Sequence, residues 1–188
     1  MALTGILLAA GRGRRFDPSG VQNKLLQTMA DGDIVVAASA RNMLAVLPRV
    51  VAVVREGDDK VAALLGRLGC EVRVCVDADL GMAESLLTAI EHTRGAEGWL
   101  IGLGDMPRVR PDTMRALVAT IERGARIAAP VFEGRRGNPV AFSSYHLPLL
   151  LAVEGDQGAR AILKSHTVSE VAVDDDGVVR DIDTPGDL

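Results

Sequence analysis

What most constrains this chain is an alternation. Short strand-like runs, mostly apolar, at 5–9, 49–54, 71–76, 99–103 and 126–131 are separated by stretches with helical spacing at 34–47, 58–68, 81–93 and 111–123. Continuous apolar strands are buried on both faces, and strands alternating with helices make βαβ units. The pattern predicts an α/β fold, a mostly parallel sheet covered by helices on both sides. The 111–123 stretch is the cleanest helix. Met114, Leu117, Val118 and Ile121 recur at i, i+3, i+4 and i+7, with Pro111 and Asp112 in the first turn and Gly124 past the end.

After about residue 131 the rhythm changes. A short strand at 139–142, helices near 146–152 and 159–165, and two strands at 168–173 and 178–182 are expected. The last two flank Asp174-Asp175-Asp176-Gly177, which reads as a hairpin turn. The parallel sheet therefore gains antiparallel additions towards its C-terminus. With 188 residues, 48% of them hydrophobic, the chain suits one domain spanning 1–188 with an ample core.

Composition removes several functional classes. A net charge of −4 does not advertise nucleic-acid binding. Cys70 and Cys75 have neither zinc-ligand nor redox spacing and read as small buried hydrophobes. The apolar run near the start spans only 6–10, with charge after it, so it does not read as a signal peptide. No run of 18 apolar residues exists either. A soluble, cytoplasmic protein is expected.

In open parallel sheets, ligands bind beyond the C-terminal ends of the strands. The first strand exits through Leu8, Ala9 and Ala10 into Gly11-Arg12-Gly13-Arg14-Arg15, and a polar loop leads on to Asn23-Lys24. Glycines admit a ligand close to the backbone, whose N–H groups cradle phosphate oxygens. Arg14, Arg15 and Lys24 add positive charge. Lys24, Lys60 and Lys164 are the only lysines among 21 basic residues, so a lysine in this loop invites a reason. A Walker A loop is absent, and a dinucleotide fingerprint is broken at Phe16. The third strand leads to Gly81-Met82-Ala83-Glu84-Ser85 at a helix start, where Ser85 can meet a polar ligand group. The fourth ends in Gly104-Asp105-Met106-Pro107, an acid between glycine and proline suited to Mg²⁺. Asp181 and Asp183, two apart, can face one side of a strand and complete such a site with Asp105. Arg135-Arg136-Gly137-Asn138 and the helix entry at Arg160 can face an anionic substrate. No nucleophile triad or zinc motif is present.

Taken in order, LAAGRGRRF, NKLL, GMAESL, GDMP, GRRGNPV, GDQGAR and DIDTPGDL resemble the molybdenum cofactor nucleotidyltransferases, a MobA-like family, and within it the cytidylyltransferase branch. The resemblance covers about residues 5–188. It implies a Rossmann-like sheet of the nucleotide-diphospho-sugar transferase type and a reaction of CTP with molybdopterin that releases pyrophosphate, with Mg²⁺ as cofactor. Carried over by position, Leu8, Ala9, Ala10, Gly11, Gly13, Arg14, Arg15 and Gly104 hold the nucleotide, and Lys24 contacts its phosphates. Ser85 meets base or ribose, while Asp105 and an acid of DIDTP, Asp183 in preference to Asp181, bind the metal. Lys24, Arg15 and Asp105 carry the catalysis, and Arg136, Asn138 and Arg160 meet the pterin. LAAG rather than LAGG leans towards cytidine. The implied partners are small molecules and, transiently, a molybdenum apoenzyme, with neither nucleic acid nor membrane. Relatives run on as a helix where this sequence stops at Leu188, which implies a trimmed C-terminus. The alternatives are guanylyl or other nucleotidyl transfer to molybdopterin or another small phosphorylated substrate, an NAD(P)H-dependent reductase, and a non-catalytic cofactor carrier.

Overall fold

The computed structural model describes residues 2–188, the Gln157 side chain excepted. One eight-stranded sheet runs through it. Its strands are β1 (Thr4–Ala9), β2 (Val50–Arg55), β3 (Glu71–Cys75), β4 (Gly98–Leu103), β5 (Ile127–Phe132), β6 (Arg135–Arg136), β7 (Val140–Ser143) and β8 (Ser169–Ala172). The helices are α1 (Val35–Leu44), α2 (Asp59–Leu68), α3 (Met82–His92), α4 (Pro111–Glu122), α5 (Leu147–Leu150) and α6 (Arg160–Ser165).

Strand order is β3-β2-β1-β4-β7-β5-β6, with β8 beside β5. The first four strands are parallel. β7 inserts antiparallel between β4 and β5. The alternation of side chains explains why the strands read as solid apolar runs. Leu7 and Ala9 of β1 face the layer of α1, α2 and α4, packing with Val36, Met43 and Leu117. Ile6 faces the layer of α3, α5 and α6, with Leu86, Ile90, Leu150 and Ile162. Each such buried aliphatic side chain stabilises the fold by roughly 1.5–3 kcal/mol. Trp99, fully buried, donates its Nε1–H to Thr93 Oγ1 at 2.9 Å, so its one polar atom is satisfied. α4 follows its spacing: Met114, Leu117 and Ile121 are buried and Val118 half-buried.

Two expectations need correction. The helix expected at 146–152 is a 3₁₀ turn, Ser144–His146, running into the four residues of α5. The hairpin at Asp174–Gly177 does not form. β8 pairs parallel to β5, Ala128 opposite Ser169, and Asp176–Val179 is a 3₁₀ turn. The cause is Asp175, only 2% exposed. Its carboxylate accepts from Thr113 Oγ1 at 2.6 Å, Arg110 N–H at 2.9 Å and Gly177 N–H at 3.1 Å. It thereby satisfies the start of α4, which has no cap of its own. Gly177 is required by close approach, since a Cβ there would collide with the Arg108 carbonyl. The acidic run that reads as a solvent turn is thus a long-range helix clamp. Cys70 and Cys75 are free and buried, and burial pushes the Cys70 thiol up to about 11.

Candidate active site

β1 pairs with β2 on one side and β4 on the other, so the chain leaves their carboxyl ends in opposite directions. A crevice opens at such a reversal. Here it is a cavity of about 530 Å³, walled by Leu8, Ala9, Ala10, Gly11, Arg14, Lys24, Ser85 and Asp105 among others. Gly81, Met82 and Ser85 bring the amino end of α3 to the cavity, where the positive pole of an 11-residue helix favours anions.

Lys24 is the best-held residue of the site. It opens a 3₁₀ turn, Lys24–Leu26, capped by Asn23, whose Oδ1 accepts from Leu25 N–H at 3.0 Å. Leu25 anchors that turn in the core. The ammonium, on a side chain 10% exposed, donates to Asp105 Oδ2 at 2.6 Å and to the Ile182 carbonyl at 2.9 Å. Asp183 Oδ1 stands 3.7 Å away. Asp105 is fixed from several directions. Gly104 N–H donates to the Leu8 carbonyl at 2.8 Å, and Ser39 Oγ donates to the Gly104 carbonyl at 2.9 Å. A Cβ on Gly104 would lie 3.2 Å from that of Ala9 and 3.3 Å from the Leu8 carbonyl, so a side chain here would crowd the two strand exits. Ile182 N–H donates to the Asp105 carbonyl at 2.8 Å.

Asp105, Asp181 and Asp183 each offer an oxygen, all within 4.8 Å of one another. Segment 180–183 is not a strand, yet both its acids reach the cluster. Three hard carboxylate donors suit Mg²⁺ or Mn²⁺ rather than a softer ion. Asp187 holds this segment in shape. Its carboxylate accepts from Thr184 N–H, Thr184 Oγ1 and Asp183 N–H. Those bonds hold its carboxyl below the usual range. Arg15, largely exposed, pairs with Asp183 Oδ2 at 2.6 Å.

A second ionic group closes the other side of the cavity. Arg12 donates through Nε to Asp79 Oδ1 at 2.6 Å and through Nη2 to Oδ2. Arg55, at the end of β2, donates to Asp79 Oδ1 at 2.5 Å and to the Ala10 carbonyl at 3.1 Å. Its Nε is buried with no partner. Both arginines hold the Asp79 carboxyl well below the usual carboxylate range, Arg12 more than Arg55. Sequence reading passed over Arg12, Arg55 and Asp79, although the exit of strand two follows the same rule as the others.

Not every expected residue meets the cavity. Gly13 lies behind it against the Lys24 stem, its carbonyl accepting from Phe16 and Asp17 N–H. Asn138 and Arg160 line a narrow apolar slot next to the cavity, with Leu8, Met82 and Leu103 shared between the two. Arg136 is turned away and pairs with Glu170 at 2.6 Å.

The model of the MobA-like NTP transferase domain matches residues 5–171. The purine catabolism protein PucB of Bacillus subtilis (strain 168) is 31% identical over 196 residues, covering 97% of this chain and 92% of that protein. The crystal structure of Rv0371c from Mycobacterium tuberculosis H37Rv superimposes with a TM-score of 0.85 at 28% identity, covering 100% of this chain and 96% of that one. Its manganese complex gives 0.80 at 27% identity, with the same coverage. The molybdopterin-guanine dinucleotide biosynthesis protein A from Archaeoglobus fulgidus shares the fold, with a TM-score of 0.69 at 17% identity, covering 98% of this chain and 94% of that one. An α/β nucleotide-diphospho-sugar transferase-like fold with a buried lysine among acids at its switch point, matched by that family model over most of its length, makes this chain a nucleotidyltransferase of the MobA-like NTP transferase family.

Proposed function

We propose that the chain transfers CMP from CTP to the phosphate of molybdopterin and releases pyrophosphate. The carrying observation is the buried Lys24 ammonium between Asp105 and Asp183, at the edge of a cavity walled by glycine, arginine and a helix amino end. In this reaction an oxygen of the acceptor phosphate attacks the α-phosphorus of CTP, and the bond to the β-phosphate oxygen breaks. No protein nucleophile is needed, so the chain contributes alignment and charge. The Gly11 loop and Arg14 receive the triphosphate. Lys24, already desolvated and fixed, holds charge on the phosphate oxygens as it redistributes. Ser85 meets base or ribose. Asp105 and Asp183, with Asp181 beside them, are the residues that would hold Mg²⁺, which when bound supplies charge neutralisation at the phosphates. Asn138 and Arg160, beside the cavity, are the polar groups proposed to meet the anionic acceptor. Arg136, occupied by Glu170, is the weakest of the acceptor contacts proposed.

Cytidine rests on the LAAG segment that ends in the cavity wall. The test is pyrophosphate release with molybdopterin, Mg²⁺ and each of CTP, GTP, ATP and UTP in turn. Turnover with CTP above the other three is expected. Preference for GTP overturns the base assignment and keeps the chemistry. Release with none of the four, alongside tight NAD(P)H or molybdopterin binding, overturns the transfer itself.

A further inference from the structure

β5 runs in the same direction as β4, because both lie antiparallel to β7. The amino end of β5 therefore lies at the end of the sheet opposite the nucleotide cavity. A second hollow of about 660 Å³ opens there, between Arg126, the 144–146 turn, α5 and the segment joining α6 to β8. That volume is in the range of small-molecule sites. Tyr145, Pro148 and Leu149 form apolar wall, and Arg126, His146 and His166 bring nitrogen donors.

The Arg126 charge and one ring nitrogen of His146 are unmatched in this hollow, whereas His166 Nδ1 meets Ser165 Oγ at 3.0 Å and the Ile162 carbonyl at 3.2 Å. The Arg126 guanidinium lies 3.7 Å from the centre of the Tyr145 ring, and among the described residues its side chain has no carboxylate partner. His146 is 4% exposed, and its Nδ1 is buried with no partner. Its ring meets those of Tyr145 and His166 edge to face, at 5.2 and 5.3 Å between centres. Acids at this end of the sheet are engaged elsewhere: Glu97, whose backbone carbonyl accepts from Ser144 N–H, takes the Ala2 N–H on its carboxylate, and Glu170 pairs with Arg136. Burial, then the charges of His166 and Arg126, hold the His146 imidazole below its usual range, as expected where positive groups gather without an anion.

Two imidazoles without a carboxylate or thiolate are a poor metal set, and a guanidinium beside them repels a cation. A guanidinium stacked on an aromatic face keeps its donor edge free, and that planar fork fits carboxylate and phosphate oxygens. We propose that this hollow binds a small organic oxyanion, a phosphate or carboxylate on an apolar body, at a site separate from the nucleotide cavity.

The test follows the His146 and His166 ring signals by NMR in the full chain, titrated with inorganic phosphate and with benzoate. Saturable shifts with at least one anion are expected. They should weaken at least about tenfold in Arg126→Gln and largely return in Arg126→Lys, with pyrophosphate release unchanged in both. Preference for phosphate identifies a dianion site, and preference for benzoate gives weight to the apolar wall. His166→Gln provides a second variant should Arg126→Gln fail to fold. The proposal is overturned by no saturable shift at high millimolar anion, by shifts that survive in every folded variant, or by shifts with Zn²⁺ and neither anion.

Discussion

Two ionic clusters face each other across the cavity, both built from basic side chains and aspartate, to opposite effect. Lys24, Asp105 and Asp183 are largely withdrawn from water, with side chains 10–23% exposed. Arg12 and Asp79 stand almost half in solvent, at 44% and 47%, and only Arg55, at 20%, is as withdrawn as the first cluster. The first cluster is held by backbone on every side: Gly104 to Leu8, Ile182 to Asp105, Lys24 to Ile182. The second joins two loops through one carboxylate. A buried, prearranged charge keeps its geometry when substrate arrives and acts at full strength in a low dielectric. An exposed pair is weak and exchangeable, so Arg12 can leave Asp79 for another anion. Burial, rather than the sign or number of charges, therefore separates a group suited to catalysis from one suited to admission.

Asp105→Asn strikes the buried cluster hardest. It keeps the shape and removes the charge, and turnover is expected to fall at least about 100-fold. Asp183→Asn should follow closely and Asp181→Asn cost much less; steady-state kinetics at saturating Mg²⁺ give the order. If Asp105→Asn and Asp183→Asn both keep near-normal Mg²⁺-dependent turnover, the buried cluster is not the reacting centre.

Lys24→Ala is expected next, with kcat and kcat/KM falling together by at least about tenfold. A group that strengthens its hold as charge redistributes is lost mainly from the transition state. A raised KM with intact kcat would make Lys24 a binding contact, no different in kind from the arginines opposite.

The exposed cluster should answer in the other parameter. Arg12→Ala should raise the nucleotide KM a few-fold, by roughly the worth of one hydrogen bond to a charged group, with kcat nearly constant. An equal fall in kcat would erase the distinction between the two clusters.

The smallest effect concerns stability. Arg12 and Arg55 hold the Asp79 carboxyl low, so its contribution is present above the ordinary carboxylate pKa and is lost only as pH falls through the lowered value. Between pH 8 and pH 5, Asp79→Asn should shift the melting temperature by at most about 3 °C, by a constant amount. A shift that changes across that window would show a tighter, less exchangeable clasp.

How far each cluster was legible follows the same division. β1, β2, β4 and β5 could be read because burial on both faces writes them as solid apolar runs, whereas β3, at the edge of the sheet, is exposed along most of its length and was read from its valines alone. Lys24 stood out by the scarcity of lysine, and Asp105 by its place after a strand. Asp181 and Asp183 could be paired by spacing alone, though the strand invoked for them is absent. Arg55 was readable by the strand-exit rule and was overlooked. Asp79 was not readable, because its meaning lies in two arginines 67 and 24 positions away. Asp175 misled for the same reason. A carboxylate that satisfies Thr113 and Arg110 has the local signature of any turn acid. Arg136, read as a substrate contact, pairs with Glu170, 34 positions on, a partner that no local pattern announces.

The bond from Lys24 to the Ile182 carbonyl closes a loop of 158 positions. Contacts so distant along the chain come after local helices and neighbouring strands, because their closure entropy is met only once the intervening structure exists. The lysine is thus expected to close onto the 182 segment near the end of folding. A chain with complete secondary structure can still be inert. During refolding from denaturant, pyrophosphate release should return later than the far-ultraviolet signal; simultaneous recovery would mean that the site forms with the sheet.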